Sequence, residues 1–408
     1  MAMAETTPEN PAKIQIGSAK VLEGHTYTVS SVAIKDNLII SGSCDNTIRI
    51  WDIDSGSCIK TLEGHTGPIE AIAIKDNLIV SGSFDNTIKI WDLDSGECIK
   101  TIKGHTDWVN SVAIKDNLIV SGSADKTIKI WDIDSGSCIK TLDGHAKSVN
   151  TVTIKNNLII SGSSYNTIRI WNMDSWTCIN TLEGHTYWVK SIVIKDNLIV
   201  SGSGDGSIMI WDIESGKCIK TLEGHIGSIM SVAIKDNLII SGSYDKNIKI
   251  WDIESGKCIK KLKGHTGTVW FTAIKDNLII SGSNDKTIKI WDIESGLCIK
   301  TLKGHTNLIN SVAIKDNLII SGSYKTINIW DIESGKCIKT LEGHTEWVNS
   351  VAIKDNLIIS GSDDKTIRIT PITLFPNESN KFQSVINSYW LPRYLEHKLT
   401  DCFNPEKD

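Results

Sequence analysis

No single charge dominates this 408-residue chain: 43 basic and 48 acidic residues are mixed along its length, giving a formal net charge of -5. That leaves no broad positive field for phosphate backbones or anionic lipid, so neither nucleic acid nor a membrane is an expected partner. Long apolar runs are missing as well. None approaches the ~18 residues of a spanning helix, and the opening MAMAETTPENPAKIQIG has no apolar stretch of the signal-peptide kind. The ten cysteines include no CxxC pair, and eight of them (Cys58, Cys98, Cys138, Cys178, Cys218, Cys258, Cys298 and Cys337) hold one repeated position. Each belongs to its own repeat, so they are expected to pack as small apolar core residues, not as bridges or metal ligands. So many thiols imply a reducing, cytoplasmic compartment.

The chain does contain an internal repeat. Gly-His recurs at His25, His65, His105, His145, His185, His225, His265, His305 and His344, at intervals of 40 residues until the last, which is 39. Within each copy, apolar residues alternate, as in Thr127-Ile128-Lys129-Ile130-Trp131, or form short β-branched runs such as Leu38-Ile39-Ile40. Neither pattern fits a helix; each repeat reads as four short strands. Asp36-Asn37 and Ser55-Gly56 carry the side chains that turns use. A single four-stranded sheet cannot bury its faces alone, whereas sheets packed around an axis bury both.

The Gly-His opening, the Ser-Gly-Ser-x-Asp turn and the closing Trp-Asp resemble WD40 repeats over residues 19 to about 370. The resemblance implies an all-β propeller in which the sequence repeat is offset from the blade, so that an N-terminal strand, here Ala19 to Leu22, completes the last blade. Outer strands beginning near residues 19, 58, 98, 138, 178, 218, 258, 298 and 337 give nine blades, with an eight-bladed ring plus a docked unit as the alternative. Residues 1–18 read as a flexible leader, 19–370 as the propeller and 371–408 as a tail. In the tail Phe382, Val385, Ile386, Tyr389 and Trp390 recur at helical spacing, predicting an amphipathic helix from Asn377 or Ser379. Such a helix would serve either as a lid on the propeller or as a docking segment for a partner.

Every complete repeat offers Ser, His and Asp, yet these groups recur around a ring beside a tryptophan at fixed spacing, which a catalytic triad does not. The resemblance implies a structural quartet in which Asp accepts from His, His bonds Ser, and Ser bonds the Trp N–H. It is complete at His25/Ser41/Asp45/Trp51, His65/Ser81/Asp85/Trp91, His105/Ser121/Asp125/Trp131, His185/Ser201/Asp205/Trp211, His225/Ser241/Asp245/Trp251 and His265/Ser281/Asp285/Trp291. Tyr165 stands where the fourth Asp belongs, the eighth turn has lost its Asp, and Thr370 replaces the ninth tryptophan. Blade 4 also carries Asn172 after Trp171, Lys155-Asn156-Asn157 in place of Lys-Asp-Asn, and Trp176 in place of a turn glycine. Its lower turn is a secondary candidate for a local contact.

Asp52-x-Asp54 and Asp92-x-Asp94 do not continue as a calcium loop. Gly202 to Gly206 is not a dinucleotide fingerprint, and Gly216-Lys217 lacks the earlier glycine of a phosphate loop. No catalytic residue, metal or small-molecule cofactor is therefore expected.

Because the repeats are so alike, their differences carry the functional signal. Variation concentrates after the His and before the turn Asp, two loops that an up-and-down sheet places at one end. That rim gathers Tyr27, Phe84, Trp108, Lys147, Tyr187, Trp188, Lys190, Tyr244, Trp270, Tyr324 and Trp347. Clustered aromatics suit a binding surface. The chain is thus expected to be a non-catalytic scaffold that docks a protein or peptide on this rim. The alternative is a substrate receptor or adaptor in a ubiquitin-ligase or other complex, for which a leader of 18 residues holds no F-box-like module. A lectin or an enzyme using the central channel would need a repeated sugar site or a unique acid/base pair, and neither is visible.

Overall fold

A computed structural model describes residues 14–163 and 167–374. The expected tail helix and Tyr165 lie outside the described residues. Strands alternate with tight turns throughout, and among the described residues there is no helix. Blade 1 is built from Val29–Lys35, Leu38–Ser43, Ile48–Asp52 and Cys58–Leu62, joined antiparallel in that order. The pattern repeats through eight four-stranded sheets, and a ninth sheet combines Val348–Lys354, Leu357–Ser362 and Ile367–Leu374 with two N-terminal strands. The protein is a nine-bladed β-propeller. Asp36 and Asp76 adopt left-handed φ of 48° and 49° in the turns between first and second strands, a region that Asp and Asn tolerate.

Lys20–Leu22 pairs with Ile367–Ile369, as expected for the closing strand. Pairing begins earlier than the sequence suggests, however: Ile14–Ile16 lies against Ile372–Leu374. The leader's last residues are therefore strand, and the third strand of blade 9 runs past Thr370 through Pro371 to Leu374. The expected boundaries at 18 and 370 shift because each segment supplies the other's edge partner. Leu22, Ile39 and Trp51 then share one apolar cluster with Ile359, Ile367 and Ile369, joining blade 1 to blade 9.

Each core lies between neighbouring blades. At 1/2, the second and third strands of one blade (Ile40, Ile48, Ile50) meet Ile69, Ile79 and Trp91 of the next. The cysteines depart from expectation. Cys58, Cys98, Cys138, Cys218, Cys258, Cys298 and Cys337 are exposed and Cys178 is half-buried. The outer strand slips register between Cys58 and Lys60, and this bulge turns both Cys58 and Ile59 outward while Leu62 alone reaches the core. A bulged outer strand bearing lysine also discourages edge-to-edge pairing.

The seams between blades are not equivalent. A Cβ placed on Gly42, Gly82, Gly122, Gly202, Gly242 or Gly322 would sit 2.5–2.8 Å from an Ile or Val of the next blade. Among the described residues, on Gly162 it would meet nothing of blade 5, and on Gly361 nothing at all within 4 Å. Correspondingly, Val189 and Ile192 of blade 5 and Val29 and Val32 of blade 1 are half-buried, whereas Val109 is fully buried. At the other end of every seam a lysine donates to a turn carbonyl of the next blade. This bond is 2.6 Å for Lys75 to Asp116 O, but 3.3 Å for Lys155 to Asp196 O and 3.4 Å for Lys354 to Asp36 O. Seams 4/5 and 9/1 are the joints at which both the glycine and the lysine contacts are loosest.

Candidate interaction rim

The quartets form beneath the rim with repeated geometry. In blade 3, His105 Nδ1 donates to Asp125 Oδ2 at 2.6 Å, Ser121 Oγ bonds His105 Nε2 at 2.7 Å, and Trp131 Nε1 donates to Ser121 Oγ at 2.8 Å. In blade 1, Ser41 joins His25 to Trp51 while His25 bonds Asp45. In blade 2, Ser81 joins His65 to Trp91 while His65 bonds Asp85. Ser241 does the same between His225 and Trp251, with Asp245 on the histidine, and Ser281 between His265 and Trp291, with Asp285. In blade 5 the His185–Asp205 bond is longer, 3.2 Å, and His185 also meets Ser207 Oγ at 3.0 Å. Ser201 still joins His185 to Trp211.

The serine and indole members of the quartets lie inside the blades. The serines Ser41, Ser81, Ser121, Ser201, Ser241 and Ser281 have 0% exposure, and the tryptophans Trp51, Trp91, Trp131, Trp211, Trp251 and Trp291 no more than 2%. Each buried hydroxyl is occupied on both sides, by the imidazole and by the indole N–H, so the quartet belongs to the frame and contributes no contact surface to the rim. Burial raises the carboxyl pKa of Asp125, but bonds from His105 and Thr127 outweigh it and hold the group well below the usual carboxylate range.

Blades that lack the aspartate keep the histidine–threonine contact that complete quartets also have, as between His105 Nδ1 and Thr127 Oγ1 at 3.4 Å. His145 Nδ1 meets Thr167 Oγ1 at 3.2 Å and His305 Nδ1 meets Thr326 Oγ1 at 3.4 Å. Without a carboxylate, burial pushes both histidines down to about 4, aided at His145 by the Arg169 charge. Blade 9 keeps His344, Ser360 and Asp364 although Thr370 replaces the tryptophan. These groups hold loops in place: Asp125 Oδ2 also accepts from Thr106 N, and its Oδ1 from Thr127 N and Oγ1.

Above this layer the two variable loops of a blade are tied together. Ala124 N donates to Trp108 O, Gly204 N to Trp188 O, Tyr244 N to Ser228 O and Asp363 N to Trp347 O. The rim aromatics therefore do share one end of the ring, but their surroundings differ. Phe84 of blade 2 stacks on Trp108 of blade 3. Tyr324 packs on Trp347, with Lys325 Nζ 4.9 Å from the Tyr324 ring centroid. The shortened eighth turn makes this possible, since Tyr324 forms a β-bridge with Trp347. Trp270 is half-buried and donates to Asn284 Oδ1. Tyr27 is exposed beneath the Lys365 ammonium. Lys147 is exposed and Lys190 half-buried.

One sector stands out. Tyr187, Trp188, Ile226 and Tyr244 are all exposed, Ile226 at 91%. Tyr187 lies over Gly204, where a Cβ would collide with its ring, and Gly204 O accepts from Ser228 Oγ of blade 6 at 3.1 Å. Tyr244 N donates to Ser228 O, which links Tyr187, Trp188 and Tyr244 across blades 5 and 6, and Ile226 N donates to Asp245 Oδ2 at 3.2 Å. The sequence did not single out Ile226. The available signal is that isoleucine replaces the threonine that usually follows Gly-His.

A family model described as "WD domain, G-beta repeat" matches nine times, at residues 17–52, 56–92, 96–132, 136–172, 176–212, 216–252, 256–292, 296–331 and 335–370. The chain belongs to the WD40 family. Among curated proteins, it is similar to the "Ribosome biogenesis protein WDR12 homolog" of Oryza sativa, with 50% identity over 42 residues, 10% of each chain. It is also similar to the "Cell division control protein 4" of Candida albicans, 54% over 39 residues, 9% of this chain and 6% of that protein. A third, the "Probable E3 ubiquitin ligase complex SCF subunit sconB" of Talaromyces marneffei, is 46% identical over 39 residues, 10% of this chain and 6% of that one. These matches span about a single repeat, a tenth or less of each relative's length. A solved structure, of the computationally designed Ika8 protein, matches with a TM-score of 0.62 and 31% identity, covering 86% of this chain and 98% of that one. WD40 propellers are typically non-catalytic and bind protein partners.

Proposed function

We propose that this WD40 propeller is a non-catalytic scaffold that docks a peptide or protein loop on its rim, centred on blades 5 and 6. The observation that carries the reading is the exposure of Tyr187, Trp188, Ile226 and Tyr244 in neighbouring blades, with Tyr187 stacked on Trp188 and both rings still open to solvent. Exposed aromatics of this kind form hot spots, where truncation costs about 2 kcal/mol or more of binding. A protein partner in a reducing, cytoplasmic setting suits a chain with so many exposed thiols. The match to an SCF subunit favours a second reading, a substrate receptor in a ubiquitin-ligase complex that uses the same rim.

The test compares partners captured by wild type, by Tyr187→Ala/Trp188→Ala/Tyr244→Ala, and by Phe84→Ala/Trp108→Ala, using quantitative mass spectrometry. The first variant is expected to lose its partners and keep its melting temperature. Retention of every partner by that variant overturns the rim assignment.

A further inference from the structure

Blade 4 differs from its siblings at the end of the wheel away from the rim, and three of the differences replace a charge by an amide. Asn156 takes the place of the Asp in the first turn, Asn172 that of the Asp after tryptophan, and Asn180 that of the outer-strand lysine. A fourth, Trp176, occupies the glycine position of the last turn with φ 55°. All four fall near the faces that blade 4 turns to blades 3 and 5.

Trp176 has a structural explanation. At most seams the outer lysine reaches the next blade's turn, as Lys100 Nζ does to Ile133 O at 3.0 Å, and its stem passes the turn glycine. A Cβ on Gly96 would lie 2.9 Å from the Lys60 stem. Trp176 fills that slot, packing on the apolar cluster between blades 3 and 4.

The three asparagines have a different consequence. At seam 4/5, Asn180 Nδ2 donates to Ile213 O at 3.0 Å and Glu214 O at 3.3 Å, the carbonyl positions that the lysine reaches at other seams, and its side chain lies against Gly216. A cavity of about 360 Å³ opens there, lined by Leu158, Ile160, Ile179 and Ile213 and by the amides of Asn156, Asn172 and Asn197. Its volume lies near the lower end of the ~300–1,000 Å³ typical of ligand pockets.

Asn172 supplies a directed donor. In sibling blades the aspartate accepts from the turn asparagine, as Asp52 does from Asn37 at 2.8 Å and Asp92 from Asn77 at 2.7 Å. In blade 4, Asn172 Oδ1 accepts from the backbone of Asp174 and Ser175 at 2.9 and 2.8 Å, and Asn157 turns to Asp174 instead. Asn172 Nδ2 is left without an acceptor among the described residues, beside the cavity. A larger cleft of about 580 Å³ between blades 2 and 3 is lined by residues that recur in most blades, such as Gly64, Asp85, Lys89 and His105, and so marks no particular blade.

We propose that the cavity between blades 4 and 5 binds an extended, uncharged peptide segment, which inserts one branched aliphatic side chain and offers a main-chain carbonyl to Asn172 Nδ2. The ligand class follows from the lining. Aliphatic walls favour an apolar side chain, and amides both donate and accept as a peptide group does, at lower desolvation cost than the carboxylates they replace. Lys155 is already engaged with Asp196 O, and the remaining Asp196 and Glu214 carboxylates disfavour an acidic segment. This site is separate from the rim and does not depend on the rim reading.

The test is isoleucine-methyl NMR of the full chain titrated with N-acetyl-leucine N-methylamide. Ile179 and Ile213 are expected to shift, while Ile219 and Ile253, their counterparts at the next seam, stay fixed. Asn172→Asp is expected to weaken binding about tenfold, and Asn156→Asp, which adds a carboxylate to the lining, to weaken it in the same direction. Both substitutions install a sibling's residue, and a melting curve checks that the fold is retained. N-acetyl-aspartate N-methylamide is expected to produce no shift. Absence of shifts with the leucine probe, equal shifts at every seam, or equal response to the acidic probe overturns the proposal.

Discussion

Phe84 of blade 2 lies flat on Trp108 of blade 3, with ring centroids 4.3 Å apart and planes inclined by 9°. Twenty-four positions separate them in sequence, and they join two blades across the rim. A double-mutant cycle to alanine is expected to give a coupling of about 0.5–1.5 kcal/mol in urea unfolding. Trp188→Ala, which removes an exposed ring, is expected to change stability by no more than about 0.5 kcal/mol. A zero coupling would show that the stack does not hold blades 2 and 3 together.

Asp125→Ala removes the acceptor of His105 and the further bonds from Thr106 and Thr127. The expected loss is about 1–3 kcal/mol, read from the denaturation midpoint. An unchanged midpoint would deny the quartet its structural role.

His145 and His305 are held at about 4 by burial, against about 6.5 in the unfolded chain. As pH falls from 6.5 towards 4, the unfolded state binds protons that the folded state does not. Their contribution is complete above pH 6.5 and declines through that window. The quartet aspartates have depressed values, so their contribution is complete above the ordinary carboxylate value of 3.8 and is lost progressively as pH falls below it. Imidazole NMR should show both histidines still neutral at pH 5.5.

Native thiol titration offers a direct check on the outer strands. Seven cysteines, from Cys58 to Cys337, are exposed, while Cys44 and Cys178 are half-buried. At least seven equivalents are expected to react without denaturant. Reaction of only one or two would place the thiols inside.

Hydrogen exchange should distinguish seams 4/5 and 9/1. Ile72, Val152, Val232, Thr272 and Val351 each donate a backbone N–H to a serine of the preceding blade at 3.1–3.2 Å. Thr151 replaces that serine before Ile192, and the glycines of the same seams, Gly162 and Gly361, touch no described residue of the following blade. The amides of Val32 and Ile192 are expected to exchange faster than those five. Uniform protection would mean that all seams are equally closed.

The wheel was legible because its signals recur at fixed spacing: His105, Ser121, Asp125 and Trp131 repeat with their intervals, so copies corroborate one another. The closing strand Lys20–Leu22 was legible for the same reason. The cysteines misled because a recurring small apolar residue looks like core, and only the bulge between Cys58 and Lys60 turns it outward. Ile14–Ile16 was missed because it belongs to no repeat and gains its partner from the far end of the chain. At the rim, residue type was readable but exposure was not. Trp108 and Trp188 occupy equivalent positions, and what distinguishes them is Phe84, contributed by a neighbouring blade. The donor beside the cavity depended likewise on how one side chain is turned, since Asn172 Oδ1 accepts from Asp174 N and Ser175 N.

Gly162 and Gly361 sit where adjoining blades do not press on each other. A closed circle of near-identical wedges has a natural curvature set by the wedge and a circumference set by their number, and any mismatch collects at the joints with fewest contacts. Gain or loss of one 40-residue unit therefore changes the circumference by one wedge. The size of the wheel is a property of the whole circle, and no single blade encodes it.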